Sequence, residues 1–114
     1  MPFGGGDIMS TIIQADRAEW LAECRWFVDS GHEWLQVPLW AARQADQADK
    51  EHGGDGISVF SYVLNTRVFL EGDCDAAIFF DTFEISETER AGLASRVVVL
   101  NGPAVIRDYP RWRA

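Results

Sequence analysis

The first clear pattern of apolar positions along the chain has a helical period. Five apolar residues recur at i, i+1, i+4, i+7 and i+8, which is one face of a helix: Trp20, Leu21, Cys24, Phe27 and Val28. Asp16 followed by Glu19 resembles a capping box, with Asp in place of the usual Ser or Thr. Gly31 stands where a left-handed C-terminal cap belongs. We therefore predict a first helix between Asp16 and Gly31, with Cys24 as a small core residue.

The next stretch predicts a strand followed by a helix. Residues 34–37 alternate weakly between apolar and polar, and Pro38 stops the alternation. Pro38 also suits the first turn of a helix, where its missing N–H costs nothing. We predict this helix over about 38–50, followed by a loop over 51–56. The apolar start of the helix consists of Leu39, Trp40, Ala41 and Ala42.

Two pairs of strand-like runs then predict two β-hairpins. The paired runs are 57–64 with 67–71, and 97–100 with 104–109. Asn65-Thr66 between the first two runs suits a tight turn, and residues 101–103 form the second turn. Such pairs predict antiparallel strands.

Between the two hairpins the pattern becomes helical again. We predict a third helix over about 75–84, with Asp73 or Asp75 as its N-terminal cap. Its apolar face consists of Ala76, Phe79, Phe80 and Phe83. This face is wide enough to cover one side of a small sheet.

Together these elements predict an α+β fold. Residues 85–95 are ambiguous, although Ser86 with Glu89 fits the start of a short helix. Helices alternate with antiparallel strand pairs, so we expect a small antiparallel sheet of three to five strands packed against two to four helices in a single layer. We interpret residues 1–10 as a flexible leader and 11–114 as the single domain.

The composition indicates a folded protein and limits its location. Of the 114 residues, 47% are apolar and 12% aromatic, whereas disordered chains are poorer in both. No apolar run is long enough to cross a membrane, and the start lacks the charged and apolar regions of a signal peptide. Two cysteines, Cys24 and Cys74, give no disulfide framework. We therefore expect a cytoplasmic protein.

The charge of the chain limits its partners. The formal net charge is −8, from 18 acidic and 10 basic residues. Nucleic acids and anionic lipids are bound by Lys and Arg that neutralise phosphates, so this balance argues against direct binding to DNA or membranes. It favours a basic protein partner and an encounter that weakens with salt. We expect a monomer that meets such a partner.

The acidic residues are concentrated in the middle of the chain. Between Arg67 and Arg90 there are seven acidic residues and no basic one: Glu71, Asp73, Asp75, Asp81, Glu84, Glu87 and Glu89. On one exposed side of the fold, their carboxylates would stand where phosphates stand for a nucleic-acid-binding protein. The alternative is a solvated helix face with caps, in which Asp73 and Asp75 face the positive end of a helix. These seven residues are the candidate partner-binding site.

Metal and cofactor sites find little support in the sequence. Asp73, Asp75 and Glu84 match positions 1, 3 and 12 of a calcium loop. However, Ala77 and Ile78 stand where that loop needs a ligand and a Gly. Zinc would require the two histidines and two cysteines to converge without any paired spacing. We therefore expect no metal and no cofactor.

A resemblance covers about residues 32–80. The residues that carry it are His32-x-Trp34-Leu35-x-Val37-Pro38-Leu39, Ile57-Ser58-x-Phe60-Ser61-Tyr62 and Leu70-Glu71-x-Asp73-Cys74-Asp75-Ala76 with Phe79 or Phe80. In this spacing the chain resembles small uncharacterised proteins of bacterial phages and plasmids, to which no activity is attached. In size, charge and context it also resembles anti-CRISPR proteins. Several of these are acidic DNA mimics that block the target-DNA site of a type I surveillance complex, so the resemblance implies that complex as the partner.

Three classes of function follow. The leading hypothesis is a non-enzymatic inhibitor that occupies a basic DNA-binding surface through the seven acidic residues. The alternative is an accessory protein–protein interaction module, antitoxin-like or immunity-like, whose exposed aromatic residues dominate; its candidates are Trp26, Trp34 and Trp40. The third class is an enzyme that uses Cys24 or His32, for which the sequence gives no supporting motif.

Overall fold

The fold is an α+β structure with one open five-stranded sheet, as the computed structural model shows. The structure describes residues 16–101 and 105–113. In chain order the elements are helix α1 (16–23), strands β1 (Arg25–Val28) and β2 (Glu33–Pro38), helix α2 (Leu39–Glu51), strands β3 (Tyr62–Leu64) and β4 (Arg67–Glu71), helices α3 (Asp75–Thr82) and α4 (Glu87–Ala94), strand β5 (Val98–Val99) and a 3-10 turn at Val105–Asp108. The predicted fold class is confirmed.

The sheet is mixed rather than purely antiparallel. Its strand order is β3-β4-β2-β1-β5, and neighbours are antiparallel except for β1 and β5, which run parallel. In the central pair, Leu35 lies opposite Leu70 and Trp34 lies opposite Glu71. Because successive side chains of a strand point to opposite faces, this register fixes two different cores.

The main core lies between the sheet and the four α-helices. Leu35 of β2 and Leu70 of β4 are fully buried there. All four helices contribute to the same cluster, through Leu21, Ala41, Ala42, Ala45, Ala76, Phe79 and Leu93. Each buried Leu contributes about 1.5–3 kcal/mol relative to full exposure, so this cluster supplies much of the folding free energy.

A smaller core lies on the opposite face of the sheet. Trp34, Phe69 and Ile106 are buried there, and Tyr62 and Tyr109 pack against them. The C-terminal segment covers this face through Ile106 and Tyr109. Beyond Tyr109 the segment pairs with the edge of β3, since the Pro110 carbonyl accepts a hydrogen bond from the Val63 amide at 2.7 Å and the Trp112 amide donates to the Ser61 carbonyl at 2.8 Å. Both faces of the sheet are therefore partly covered, one by helices and one by the C-terminal segment.

The first predicted helix was wrong in its second half. Helix α1 ends at residue 23, and Arg25–Val28 is a strand. In that strand Trp26 packs against the main core and Phe27 against the smaller one, so the true period is two. Asp16 is already helical and is not a cap, and Gly31 lies in the turn between β1 and β2.

Two further strand predictions were wrong in part. Only Tyr62–Leu64 of the run 57–64 is a strand, because Ser58 and Ser61 turn towards α3 instead. The second hairpin does not form: β5 is a two-residue strand parallel to β1, and residues 105–108 form the 3-10 turn. Residues 102–104 of the predicted second hairpin and the predicted leader at 1–10 lie outside the described residues.

Several other local predictions were confirmed. Pro38 lies at the N-terminal cap of α2, β4 has the predicted bounds, and the turn after β3 places Asn65 at a φ of 54°. Helix α4 begins with the predicted capping box, in which the Ser86 hydroxyl accepts from the Glu89 amide and the Glu89 carboxylate accepts from the Ser86 amide. Cys24 is a buried core residue.

Candidate functional site

The seven candidate acidic residues differ in their burial and in their hydrogen-bond partners. Asp75 is 1% exposed, at the first residue of α3. Its carboxylate accepts hydrogen bonds from the hydroxyls of Ser58 and Ser61, both at 2.6 Å, and from the Ser58 amide at 3.1 Å. The Ser61 hydroxyl in turn accepts from the Glu71 amide at 2.9 Å. Asp75 therefore holds the 57–61 turn against the sheet and is not available to a partner.

Glu89 is neutralised by a neighbouring guanidinium. Arg17 of α1 donates to both oxygens of the Glu89 carboxylate, at 3.0 and 3.1 Å, and also to the Phe83 carbonyl at 2.6 Å. The hydrogen bond from Arg17 is the main reason why the pKa of Glu89 falls to about 2. The same hydrogen bond raises the pKa of Arg17. This pair ties α1 to the start of α4.

Glu71 and Asp73 lie together at the end of β4. The Glu71 carboxylate accepts from the amides of Asp73 at 2.8 Å and Cys74 at 3.1 Å, so it closes the turn that leads into α3. The predicted cap was wrong, because Cys74 occupies the cap position and no side chain caps the helix. Asp73 is exposed, and no ion pair involves it among residues 16–101 and 105–113.

Asp81 and Glu84 line a groove between α2 and α3 with a volume of about 590 Å³. We call it the acidic groove, and its lining residues are Ala48, Asp49, His52, Ile78, Asp81, Thr82 and Glu84. Three carboxylates line it and no Lys or Arg does. One oxygen of Asp49 accepts from the Gly56 amide at 2.9 Å, whereas Asp81 and Glu84 are exposed and make no ion pair within the described part of the chain.

The backbone of Glu84 is held in an unfavourable conformation. Its φ is +49°, in the left-handed region that normally suits Gly just after a helix. A non-Gly residue there costs about 1–2 kcal/mol. Glu84 is also close enough to Arg17 to raise the pKa of that guanidinium, although by less than Glu89 does. Glu84 therefore makes the fold less stable than Gly would at this position, and its carboxylate is exposed.

Glu87 completes the set of seven. It is exposed in the first turn of α4, where its charge faces the positive end of the helix. Glu71 and Asp73 line other cavities than Asp81 and Glu84 do. The seven residues thus separate into one buried acid, one ion-paired acid, the pair at the end of β4, the pair in the acidic groove, and Glu87 alone, so they do not form one uniform face.

A second cavity lies on the opposite side of the sheet from the main core, where Trp34 and Tyr62 belong to the smaller core. We call it the aromatic pocket; its volume is about 330 Å³ and its lining residues are His32, Trp34, Phe60, Tyr62, Glu71, Asp73, Cys74 and Arg107. Arg107 makes an ion pair with Asp29 at 3.0 Å and lies over the Trp34 ring, with 5.3 Å from its guanidinium carbon to the ring centroid.

The structure offers no support for the residues considered for catalysis. Cys24 is 1% exposed, and burial raises the pKa of its thiol to about 12, which disfavours the reactive thiolate. The Nδ1 atom of His32 lies 2.8 Å from a guanidinium nitrogen of Arg107, and a guanidinium only donates, so that nitrogen acts as an acceptor. Within residues 16–101 and 105–113, no group of three or more His, Cys, Asp or Glu is placed to hold a metal ion.

The tryptophans differ in their accessibility. Trp34 is 2% exposed, so it was wrongly considered as an exposed anchor. Trp26 is half-buried against Phe80, whereas Trp40 is 48% exposed and packs edge-on against Trp20. Among these three candidates, only Trp40 presents a large part of its ring to a partner.

Sequence reasoning missed two residues that complete the acidic groove, one in the last turn of α2 and one directly after the helix. Asp49 and His52 face α3 because the two helices pack side by side, and no motif in either segment predicts that pairing. Their spacing of three residues on one helix face was the available signal. The acidic run in the sequence therefore contributes only Asp81 and Glu84, on one side of the groove.

No family of known proteins matches the chain, and neither a curated protein nor a solved structure matches it. None of the helices in the described ranges is both long and apolar enough to cross a lipid bilayer.

Proposed function

We propose that this protein is a non-catalytic binding protein that docks its acidic groove onto a cationic surface of another protein. The observation that carries the proposal is the groove itself, which three carboxylates line without any Lys or Arg. A concave surface lined by charges of one sign concentrates the field and favours ligands of the opposite sign. The net charge of −8 acts in the same direction at longer range.

Four of the ten basic residues are occupied by groups of the same chain, which supports this proposal. Arg17, Lys50 and Arg107 each form an ion pair with an acidic residue of the same chain. Arg96 instead donates to backbone carbonyls, including that of Leu21 at 2.8 Å. These cations are therefore occupied within the fold, whereas Asp81 and Glu84 remain open to an external cation.

The position of Glu84 gives independent support. Gly would relieve the left-handed backbone at this residue, so the carboxylate is present at a cost in stability. Residues that are held in sparsely populated conformations concentrate at functional sites. Glu84 therefore favours a role in binding over a role in folding.

We further propose that the partner is a basic nucleic-acid-binding protein. Carboxylates in a groove can occupy the positions of phosphates, and Arg or Lys side chains bind both through charge-assisted hydrogen bonds. The resemblance to anti-CRISPR proteins makes the type I surveillance complex the first partner to test. The contact residues proposed from the groove are Asp49, Asp81 and Glu84, with Glu87 and Asp73 as further exposed acids.

The test compares a groove variant with a variant of equal charge. Asp81→Lys combined with Glu84→Lys reverses the groove, and Glu19→Lys combined with Glu23→Lys reverses two exposed acids of α1. Each protein is added to a purified type I surveillance complex and labelled target DNA, and DNA binding is measured. We expect the wild type and the α1 variant to block DNA binding, and the groove variant to fail.

The class of partner is tested separately by retention of host proteins on the three immobilised proteins. We expect basic proteins to be retained at about 0.1 M salt and released at about 1 M, where the Debye length falls from about 10 Å to about 3 Å. The groove variant should lose these proteins, and the α1 variant should keep them. Equal retention by both variants would show that net charge, and not the groove, determines binding.

The aromatic alternative keeps one specific observation in its favour. Trp40 is 48% exposed and lines a shallow groove with Leu39 and Thr66. Under this alternative, Trp40→Ala weakens retention of the partner more than reversal of the acidic groove does. The same retention experiment therefore separates the two functions.

A further inference from the structure

We propose that the aromatic pocket binds an arginine side chain of the partner protein. The inference rests on the proposed function, since it requires a cationic partner, but it concerns a different cavity. The pocket combines aromatic rings with the carboxylates of Glu71 and Asp73. Rings and carboxylates together form the chemistry that recognises organic cations.

The carboxylates give the pocket an excess of negative charge. Glu71 is held in place by the amides of Asp73 and Cys74, so its position does not depend on a ligand. Asp73 is exposed and makes no ion pair among the described residues. The pocket also contains Arg107, but the charge of this residue is balanced by Asp29 at 3.0 Å. A cation is therefore favoured over an anion as the occupant.

The rings that line the aromatic pocket pack against one another, except for the ring of Phe60. Trp34 and Tyr62 meet edge to face, with 6.4 Å between ring centroids and 70° between ring planes. His32 stacks on Trp34 with 5.9 Å between centroids. Phe60 is 62% exposed and has no ring partner or cation of the described chain. Its face is open to a ligand that enters the pocket.

The chain itself shows which group these rings accept. The guanidinium carbon of Arg107 lies 5.3 Å from the Trp34 centroid, and that of Arg111 lies 5.8 Å from the Tyr62 centroid. A planar guanidinium stacks on a ring and also forms paired hydrogen bonds with a carboxylate, which an ammonium group cannot do in the same geometry. Stacking on Phe60 with an ion pair to Asp73 would complete the same pattern for an external arginine.

The experiment uses blocked Gly-Arg-Gly peptide and its Gly-citrulline-Gly counterpart, which has the same shape but no charge. Each is titrated into the full-length protein, and amide and indole N–H signals are followed by NMR. We expect the arginine peptide to shift the signals of Phe60, Tyr62, Asp73 and the Trp34 indole, and the citrulline peptide to leave them unchanged. Phe60→Ala should weaken binding about fivefold, and Asp73→Asn about threefold.

Val99→Ala is the control, because Val99 is an apolar side chain that is 74% exposed and lies outside the pocket. It should leave the affinity for the arginine peptide unchanged. Equal shifts with citrulline, or an affinity that neither pocket variant lowers, would overturn the inference. Shifts confined to the acidic groove would overturn it while leaving the proposed function intact. Absence of shifts at both places would contradict both proposals.

Discussion

Replacement of the buried Asp75 tests whether its carboxylate stabilises the fold. In the structure its carboxylate accepts three hydrogen bonds, two from the hydroxyls of Ser58 and Ser61 at 2.6 Å and one from the Ser58 amide at 3.1 Å. Hydrogen bonds to a charged group contribute about 1.5–3 kcal/mol each but are not additive. We expect Asp75→Ala to lower the free energy of unfolding by about 3 kcal/mol.

Urea denaturation, followed by tryptophan fluorescence, measures this loss. With a slope of about 1.5 kcal/mol per molar urea, the midpoint should fall by about 2 M. Asp75→Asn keeps the shape and one acceptor, so it should fall between the wild type and Asp75→Ala. The control is Asp73→Ala, two residues earlier, which removes an exposed acid and should change stability by less than about 0.5 kcal/mol. If Asp75→Ala is as mild as Asp73→Ala, the buried network does not stabilise the fold.

Three further predictions concern acidity, thiol reactivity and backbone strain. Arg17 lowers the pKa of Glu89 from 4.5 to about 2. The ionised Glu89 therefore stabilises the fold fully above pH 4.5, and this contribution is lost as the pH falls towards 2. Glu89→Gln should remove this part of the acid sensitivity, which urea titrations at several pH values measure. A thiol reagent should modify Cys74 in the native protein and Cys24 only after denaturation, as mass spectrometry can show. Glu84→Gly should raise the free energy of unfolding by about 1 kcal/mol while weakening partner binding.

Each of these predictions has its own control. Glu87→Gln, two residues before Glu89 and without its ion pair, should leave the acid sensitivity unchanged. Modification of Cys24 at the rate of Cys74 in the native protein would contradict its burial. For the backbone, Glu87→Gly in the first turn of α4 should destabilise the fold, since Glu87 lies in a helix, where Gly is unfavourable.

The elements that the sequence predicted well depend on local signals. The capping box of α4 joins Ser86 to a residue three positions later, and the turn at Asn65 joins two adjacent strands. The apolar face of α3 was also correct, with Phe79 fully buried. In each case the residues that determine the structure lie within a few positions of one another.

The elements that it predicted wrongly depend on distant partners. Phe27 and Val28 fit the period of the predicted first helix, and only pairing with β2 and β5 selects the strand. The same limit applies to the site. Nothing near Asp75 indicates that two serines 14 and 17 positions earlier bind it, and Arg17 lies 72 positions from Glu89. The sequence could therefore count the acidic residues but could not tell buried from exposed ones.

The acidic groove is the proposed binding site for a cationic partner. The most direct measurement is an NMR titration of the protein with a lysine-rich peptide at about 0.1 M and about 1 M salt. We predict shifts that centre on Asp49, Asp81 and Glu84 at the lower salt concentration and disappear at the higher one. Shifts spread evenly over the exposed acids, or shifts that persist at high salt, would contradict the account.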